Sequence, residues 1–439
     1  MLTIRGIGFL LAAAACLGGC KGSSSDDGGL TYRPTTWYHL DTGDTDMGSL
    51  LLLVMSSADL YTIQAETGVV QAPGFGLIWG TVQDAAGTAI SGAQVSALRD
   101  SGVSAGAPVY QDTDGAFKAA LTATTTQGQF VIQNVAPGRV NLRCIAGASG
   151  NAYVDVVADE TALVSVESIS GAGTVTWSGV TRNLVNLPST AEPAVTITGL
   201  GTGVPFPIVS DGTTGAFNAG AVYRNDTYRV RLSKAGFVDT YTAFPVGTGN
   251  LATPQGDLLI VSIANRAGTS FTPASVTLDP SRGIVRGLLT PASGTLDGYV
   301  IGCTDLDAVS TGTVRYGSAA DASPDGALAA TSTSGVFYVY NVPPGTVLLR
   351  ATKTGYGGSC YADVVADSIR LVNGELSPAA NANDTITVSG HLGTFSMQGV
   401  GDGTIRFLGY SETASSPADY SYSLSGTPAH HRFRVRCAK

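Results

Sequence analysis

The chain has 439 residues, of which 13% are charged and 57 are glycine. A hydrophobic share of 44% gives ample apolar surface to bury and excludes a disordered chain. A net charge of -9 without clustered Lys and Arg excludes a phosphate-tracking nucleic-acid interface. Heptads of Leu, Glu and Lys are missing, which excludes a coiled coil. What remains, Gly, Ala, Thr, Ser and Val, is the vocabulary of short strands and tight turns. At about 150 residues per domain, the length corresponds to about three domains.

Met1–Arg5 is a short basic stretch and Gly6–Cys16 an apolar run. That run is too short to span a bilayer, which takes about 20 residues, and suits the core of an export signal. Leu17-Gly18-Gly19-Cys20 follows and resembles the bacterial lipobox, which implies that the Cys20 thiol is acylated and becomes the first residue of the mature protein. The alternative is an ordinary signal peptide with Cys20 incidental. Lys21–Gly29 is polar and small, the composition of a flexible tether. Lipidation turns a soluble chain into an anchored one, and several acyl chains hold stably where one does not. In such lipoproteins Asp after the Cys favours the inner membrane. Lys21 therefore points to the outer membrane.

Next in order, Ser57–Thr67 is predicted as a short helix with Leu60 and Ile63 on one face, and Gly80–Val95 as strands turning at Gly87. Thr126–Arg143 reads as a hairpin pair. Gly128 permits a turn, Phe130 and Ile132 share one face, and Asn134 starts the next turn. Pro137-Gly138 suits type II geometry. Val140, Leu142 and Cys144 then line one face of the following strand, which makes Cys144 a core residue.

This pattern recurs. Asn134-Val135-Ala136-Pro137-Gly138 returns as Asn341-Val342-Pro343-Pro344-Gly345, and Tyr153–Asp159 returns as Tyr361–Asp367. These copies are modules A and A′. Between them lies a different module, B, with Gly215-Ala216-Phe217 and Tyr228–Lys234. Its Thr174–Gly179 returns as Thr385–Gly390, and its Tyr228–Arg231 as Phe433–Arg436. The order is A-B-A′-B′, with a period near 208 residues. The chain thus divides into a signal (1–19), lipidated Cys20 with its tether (20–45), A (46–168), B (169–259), A′ (260–376) and B′ (377–439). B continues for about 45 residues past Lys234, but B′ stops at Lys439, short of a strand that B needs. Either B′ closes differently or the chain is a truncated product, and the missing strand favours truncation.

Strands and turn signals at this spacing predict an all-β protein of tandem β-sandwiches with short helices between modules. The run Gly80-x-Val82, Gly87, Gly92-Ala93-x-Val95, Gly128-x-Phe130 and Asn134-Val135-x-Pro137-Gly138 resembles the carboxypeptidase-regulatory-like domain. That resemblance implies a small sandwich of the transthyretin-like and starch-binding-like kind, without the peptidase that gives the family its name. B is similar to a looser immunoglobulin-like relative. Tandem copies on a lipobox tether resemble Gram-negative envelope lipoproteins.

The chemistry-bearing residues give less. Cys144, Cys303, Cys360 and Cys437 allow three pairings. Cys303 and Cys360 flank one module and are the favoured disulfide, with four buried free thiols as the alternative. His39, His391, His430 and His431 form no zinc motif, so no metal or cofactor is expected. Gly102-Val103-Ser104-Ala105-Gly106 matches a nucleophile elbow in letters but lies in an all-β loop. Asp112-Thr113-Asp114-Gly115 reads as a solvated turn rather than a calcium loop. The aromatics Trp37, Tyr38, Trp79, Tyr110, Trp177, Tyr316, Tyr420 and Tyr422 could offer a sugar-stacking face. Tyr110 and Tyr316 hold matching loop positions and are the expected ligand contacts. The sequence therefore predicts a non-enzymatic, outer-membrane lipoprotein acting as scaffold, spacer or adhesin. Its partners are the membrane and an envelope protein or polysaccharide, with no nucleic acid. A carbohydrate-binding protein, or the accessory part of a longer protein, is the alternative.

Overall fold

A computed structural model describes residues 31–439 except 42–46, 172, 185–188, 203–205, 253–255, 270, 292–293, 381–384, 397–398, 412, 417–419 and 430. The protein is all-β. It divides into two compact units: Met1–Gly173 with Thr385–Pro428 and Arg432–Lys439, and Thr174–Asp384 with Ala429–His431. By the sequence repeat, the first unit joins A to B′ and the second joins B to A′.

Each unit is built on one nine-stranded sheet. In the second unit, Thr227–Ser233 and Thr240–Pro245 of B lie next to Ile369–Leu371 and Gly283–Leu288 of A′. Thr240–Pro245 pairs antiparallel with its own module and parallel with Ile369–Leu371 of A′. The sheet is therefore continuous across the two modules.

The first unit reaches the same arrangement with strands from both ends of the chain. Three N-terminal strands are β1 (Tyr32–Arg33), β2 (Thr35–Asp41) and β3 (Met47–Ser56). β2 lies between Arg432–Ala438 of B′ and Thr161–Glu167 of A, antiparallel to the former and parallel to the latter. β1 pairs with β3, and β3 runs parallel to Thr385–Thr394. Every pairing has its counterpart in B, where Phe237–Val238 pairs with Leu258–Ser262, and that strand runs parallel to Thr174–Asn183. The strand counted as missing from B′ is thus present, contributed from the other end of the sequence. Tyr32–Arg33 and Thr35–Asp41, expected as tether, are strands. β3, expected to open module A, belongs to the B′ sandwich.

The repeat extends to side chains. Thr35 and Thr240 are both fully buried, and each hydroxyl donates to the carbonyl two residues earlier, at Arg33 and Val238. Helix α1 (Ser57–Thr67) follows β3, and the shorter α2 (Ile263–Ala267) follows Leu258–Ser262. Ser56 caps α1 in a capping box with Asp59, and Gly68 ends it in the left-handed conformation. Ile63 is buried and Leu60 packs against the same cluster, as the spacing predicted.

Module A's share of the sheet is covered on both faces. Ile78, Phe130 and Ile132 pack against Val95, Leu142 and Val154 of the opposing four-stranded sheet. Trp79, Phe117 and Val131 pack against Leu53, Met55 and Ile63 on the other side. Strand Gly76–Gln83 is buried at all eight positions in consequence. Gly80 and Gly287 are forced by this packing: a Cβ there would lie 2.1 Å from the rings of Phe130 and Phe337 respectively.

Candidate functional site

Tyr110 and Tyr316, the expected ligand contacts, are core residues. Only 3% and 5% of their surface is exposed. Each pairs across the sheet with a buried phenylalanine, Phe130 or Phe337. Their hydroxyls accept the backbone N–H of Val95 at 2.8 Å and of Ile301 at 3.0 Å. The Val95 donor stands where the ladder shifts register between Gln94 and Val95. A tyrosine suits such a place because it brings a large apolar ring and one polar tip. Matching positions in two loops therefore reported a repeated structural anchor. The wider sugar platform goes with them: Tyr38, Trp79, Trp177 and Tyr422 are buried, and the Trp37 indole donates to the Leu53 carbonyl.

The expected Cys303–Cys360 disulfide is not formed. Both residues are buried and outside any disulfide, as are Cys144 and Cys437. Cys303 and Cys360 lie on strands on either side of Gly345–Lys353, each opposite Leu349. Two inter-strand spacings put their backbones about 10 Å apart, beyond the roughly 7 Å a disulfide can bridge. Burial, with Asp305 nearby, pushes the Cys303 thiol up to about 12, so it is no thiolate nucleophile at neutral pH. Cys20 lies outside the described residues.

The remaining motifs are spent on local structure. Ser104 hydrogen-bonds the Gly106 backbone within its own loop. The Asp112 carboxylate accepts the N–H groups of Asp114 and Ala116, an Asx turn. His431 is buried and His391 exposed; His430 and the His39 side chain lie outside the described residues. No group of three or more His, Cys, Asp or Glu side chains converges among the described residues.

Charged groups do converge where the modules of each unit meet. Asp155 of A accepts from Arg139 of its own sheet at 2.7 Å and from Arg434 of B′ at 2.6 Å. Burial raises the Asp155 carboxyl, but Arg434 and Arg139 outweigh it and hold the group far below the usual carboxylate range. The Arg434 guanidinium also lies 4.9 Å over the Tyr38 ring, and the Tyr38 hydroxyl donates to the Asp155 carbonyl. In the second unit Arg229 pairs with Asp363 at 3.3 Å. Ala243 stands there in place of Tyr38, and Arg370 pairs with Glu375 at 2.5 Å. These arrangements fasten one sandwich to the other.

The exposed surface is more informative. In the first unit Tyr61 on α1 and Val69, Val70 and Phe75 in the following loop are exposed; Val70 reaches 76% and Tyr61 73%. The loop is held from beneath by Asn134. Its amide oxygen accepts the Ala72 N–H and its amide nitrogen donates to the Val70 carbonyl. The exposed side chains thus stand on a fixed backbone. In the second unit a groove of about 340 Å³ is lined by Phe244, Leu251, Leu258, Leu371, Asp257 and Asn373. Its Asp257 carboxylate is already taken by Arg182 and the Val180 N–H.

No protein-family model matches the chain, and no curated protein does. Similar solved structures include the Bacillus anthracis TIE protein, at 11% identity over 70% of this chain, with a TM-score of 0.17. The chain spans about half of that protein, 51% of its length. The major pilin subunit BcpA of Bacillus cereus is matched at 12% identity over 70% of this chain and 99% of that one, with a TM-score of 0.15. A streptococcal ancillary pilin is matched at 11% identity over 80% of this chain and 100% of that one, with a TM-score of 0.15. Scores this low carry no argument about fold or function. The β-sandwich description rests on the strand pairings above.

Proposed function

We propose that this chain is a lipid-anchored envelope protein whose sandwiches act as a non-enzymatic scaffold, spacer or adhesin, with A and A′ as carboxypeptidase-regulatory-like modules. The observation that carries the reading is Leu17-Gly18-Gly19-Cys20 and the polar stretch Lys21–Gly29 that follows it in the sequence. The use of Tyr110, Tyr316, Ser104, Asp112 and the four buried cysteines in the fold supports a structural role. Lys21 directs the anchor to the outer membrane.

The test is mass spectrometry of the N-terminal peptide, with fractionation of inner and outer membranes. A mature N-terminus at Cys20 carrying acyl chains, in the outer membrane, is expected, and Cys20→Ser should release the protein to the soluble fraction. An unacylated protein in the soluble fraction would sink the anchor.

A further inference from the structure

We infer that the apolar surface around α1, formed by Tyr61, Val69, Val70 and Phe75, docks on the lipid bilayer and holds the first unit against the membrane. This rests on the proposed Cys20 anchor for the choice of the bilayer as partner, while the exposure of the apolar residues is observed independently of it.

The internal repeat supplies a comparison within one chain. The loop after α1 has a counterpart in the second unit, because Asn341 makes the same clamp as Asn134. Its side chain accepts the Asp279 N–H and donates to the Thr277 carbonyl. Both asparagines sit in the left-handed region, at φ 57° and 56°. The two loops therefore share a backbone, and Ala72 corresponds to Asp279, Val70 to Thr277 and Phe75 to Arg282. In the second unit Asp279 and Arg282 form an exposed ion pair at 3.4 Å, a surface suited to water. In the first unit Ala72 and Phe75 take the places of the ion pair and Val70 that of Thr277, and both Val70 and Phe75 are exposed. The fold does not require that, since the sister loop is held equally well with polar residues. Exposed apolar residues on one helix and the loop that follows it are what a surface meeting a non-aqueous partner needs.

The bilayer is that partner because of where the chain enters. The Ser57 N–H, at the start of α1, donates to the Thr31 carbonyl. Two residues on, the Arg33 guanidinium donates to the carbonyl of Phe75. The start of the described chain is thus bracketed by α1 and by the Phe75 loop. Ten residues, Lys21–Leu30, lie between Cys20 and Thr31, and the chain from one to the other spans about 40 Å at most. An acylated Cys20 keeps this face within that distance of the headgroups. At the same end Lys439 lies 5.3 Å over the Tyr32 ring, adding a cation where anionic headgroups would lie. Aromatic side chains such as Tyr61 suit the interfacial layer, where one end is apolar and the other wet.

The test uses the mature full-length protein on vesicles of phosphatidylethanolamine and phosphatidylglycerol. An environment-sensitive fluorophore is placed at Val70→Cys and, as the internal control, at Thr277→Cys. Both positions are exposed and the four folded-region cysteines are buried, so labelling is selective. The Val70 label should shift to the blue and be quenched by brominated lipid, while the Thr277 label reads water. A Val70 label that reads water on a protein whose Cys20 is acylated overturns the docking surface and leaves the anchor standing. A protein without the acyl mass overturns the anchor, and the Val70 label on the same vesicles, with Cys20→Ser so that no other exposed thiol takes the dye, still decides the surface. Val70→Asp with Phe75→Asp should abolish the quenching without altering the circular dichroism spectrum.

Discussion

Asp155 and Arg434 lie 279 residues apart in sequence and meet at 2.6 Å, tying module A to the last strand of B′. Because Arg434 and Arg139 lower the Asp155 carboxyl, the linkage sign is fixed. The pair's stabilisation is fully present above the unfolded Asp value near 4 and is lost as pH falls through the lower folded value. Asp155→Asn should therefore destabilise the protein at pH 7, by about 2–4 kcal/mol for a largely buried pair losing one partner. The loss should shrink as the pH is lowered below about 4. Urea unfolding of both proteins across that range checks it, and a difference independent of pH would refute the assignment.

The N-terminal strands give a second prediction. Leu52 is fully buried on β3, opposite Leu392 of B′, and its counterpart in B is Leu258. Leu52→Ala should cost about 2–5 kcal/mol. The loss should appear in a distant part of the sequence. Hydrogen exchange should speed up in 385–394 and 432–438 but not in the matching strands 174–183 and 227–233. Faster exchange confined to 47–56 would mean that β3 does not complete the B′ sandwich.

Much of this architecture was legible in the sequence, and the reasons are local. Gly128 and Asn134 take positive φ where the turn chemistry placed them, and Ser57–Thr67 is the helix its spacing implied. The A-B-A′-B′ repeat correctly paired Tyr228–Arg231 with Phe433–Arg436. What was not legible is pairing at long range. An alternating pattern says which face of a strand is buried, but not which strand lies beside it. So β2 and β3 read as tether and as the start of A, and B′ as deficient. One signal was available. Thr35 matches Thr240, and Ser56 matches Ser262 as helix caps, so extending the repeat comparison backwards from α1 would have identified the N-terminal strands. The aromatic misreading has a different cause. Composition cannot separate a tyrosine that stacks on a ligand from one that satisfies a buried N–H.

That second role of Tyr110 and Tyr316 can be measured. Removing either hydroxyl leaves the Val95 or Ile301 N–H buried without its partner. Tyr110→Phe and Tyr316→Phe should each cost about 1–3 kcal/mol, with the phenyl ring still filling its place. Thermal or urea unfolding reads the loss. If the two phenylalanine variants are as stable as the parent yet lose saturable binding to a polysaccharide, the anchor assignment is wrong and these residues are ligand contacts after all.

The cysteines separate two chemistries in one compartment. In the proposed envelope location disulfides would be permitted, yet Cys303 and Cys360 are held apart by the strand Gly345–Lys353. Their protection must come from burial. Burial raises the thiols of Cys303 and Cys437, so few thiolates exist to react at pH 8, and access is closed as well. The mature protein, treated with iodoacetamide without reductant, should take up no label at Cys144, Cys303, Cys360 or Cys437 while folded. All four should be alkylated once urea unfolds it. A Cys303–Cys360 peptide pair still joined after non-reducing digestion would show that this disulfide forms and that the strand order around Leu349 is not the one described.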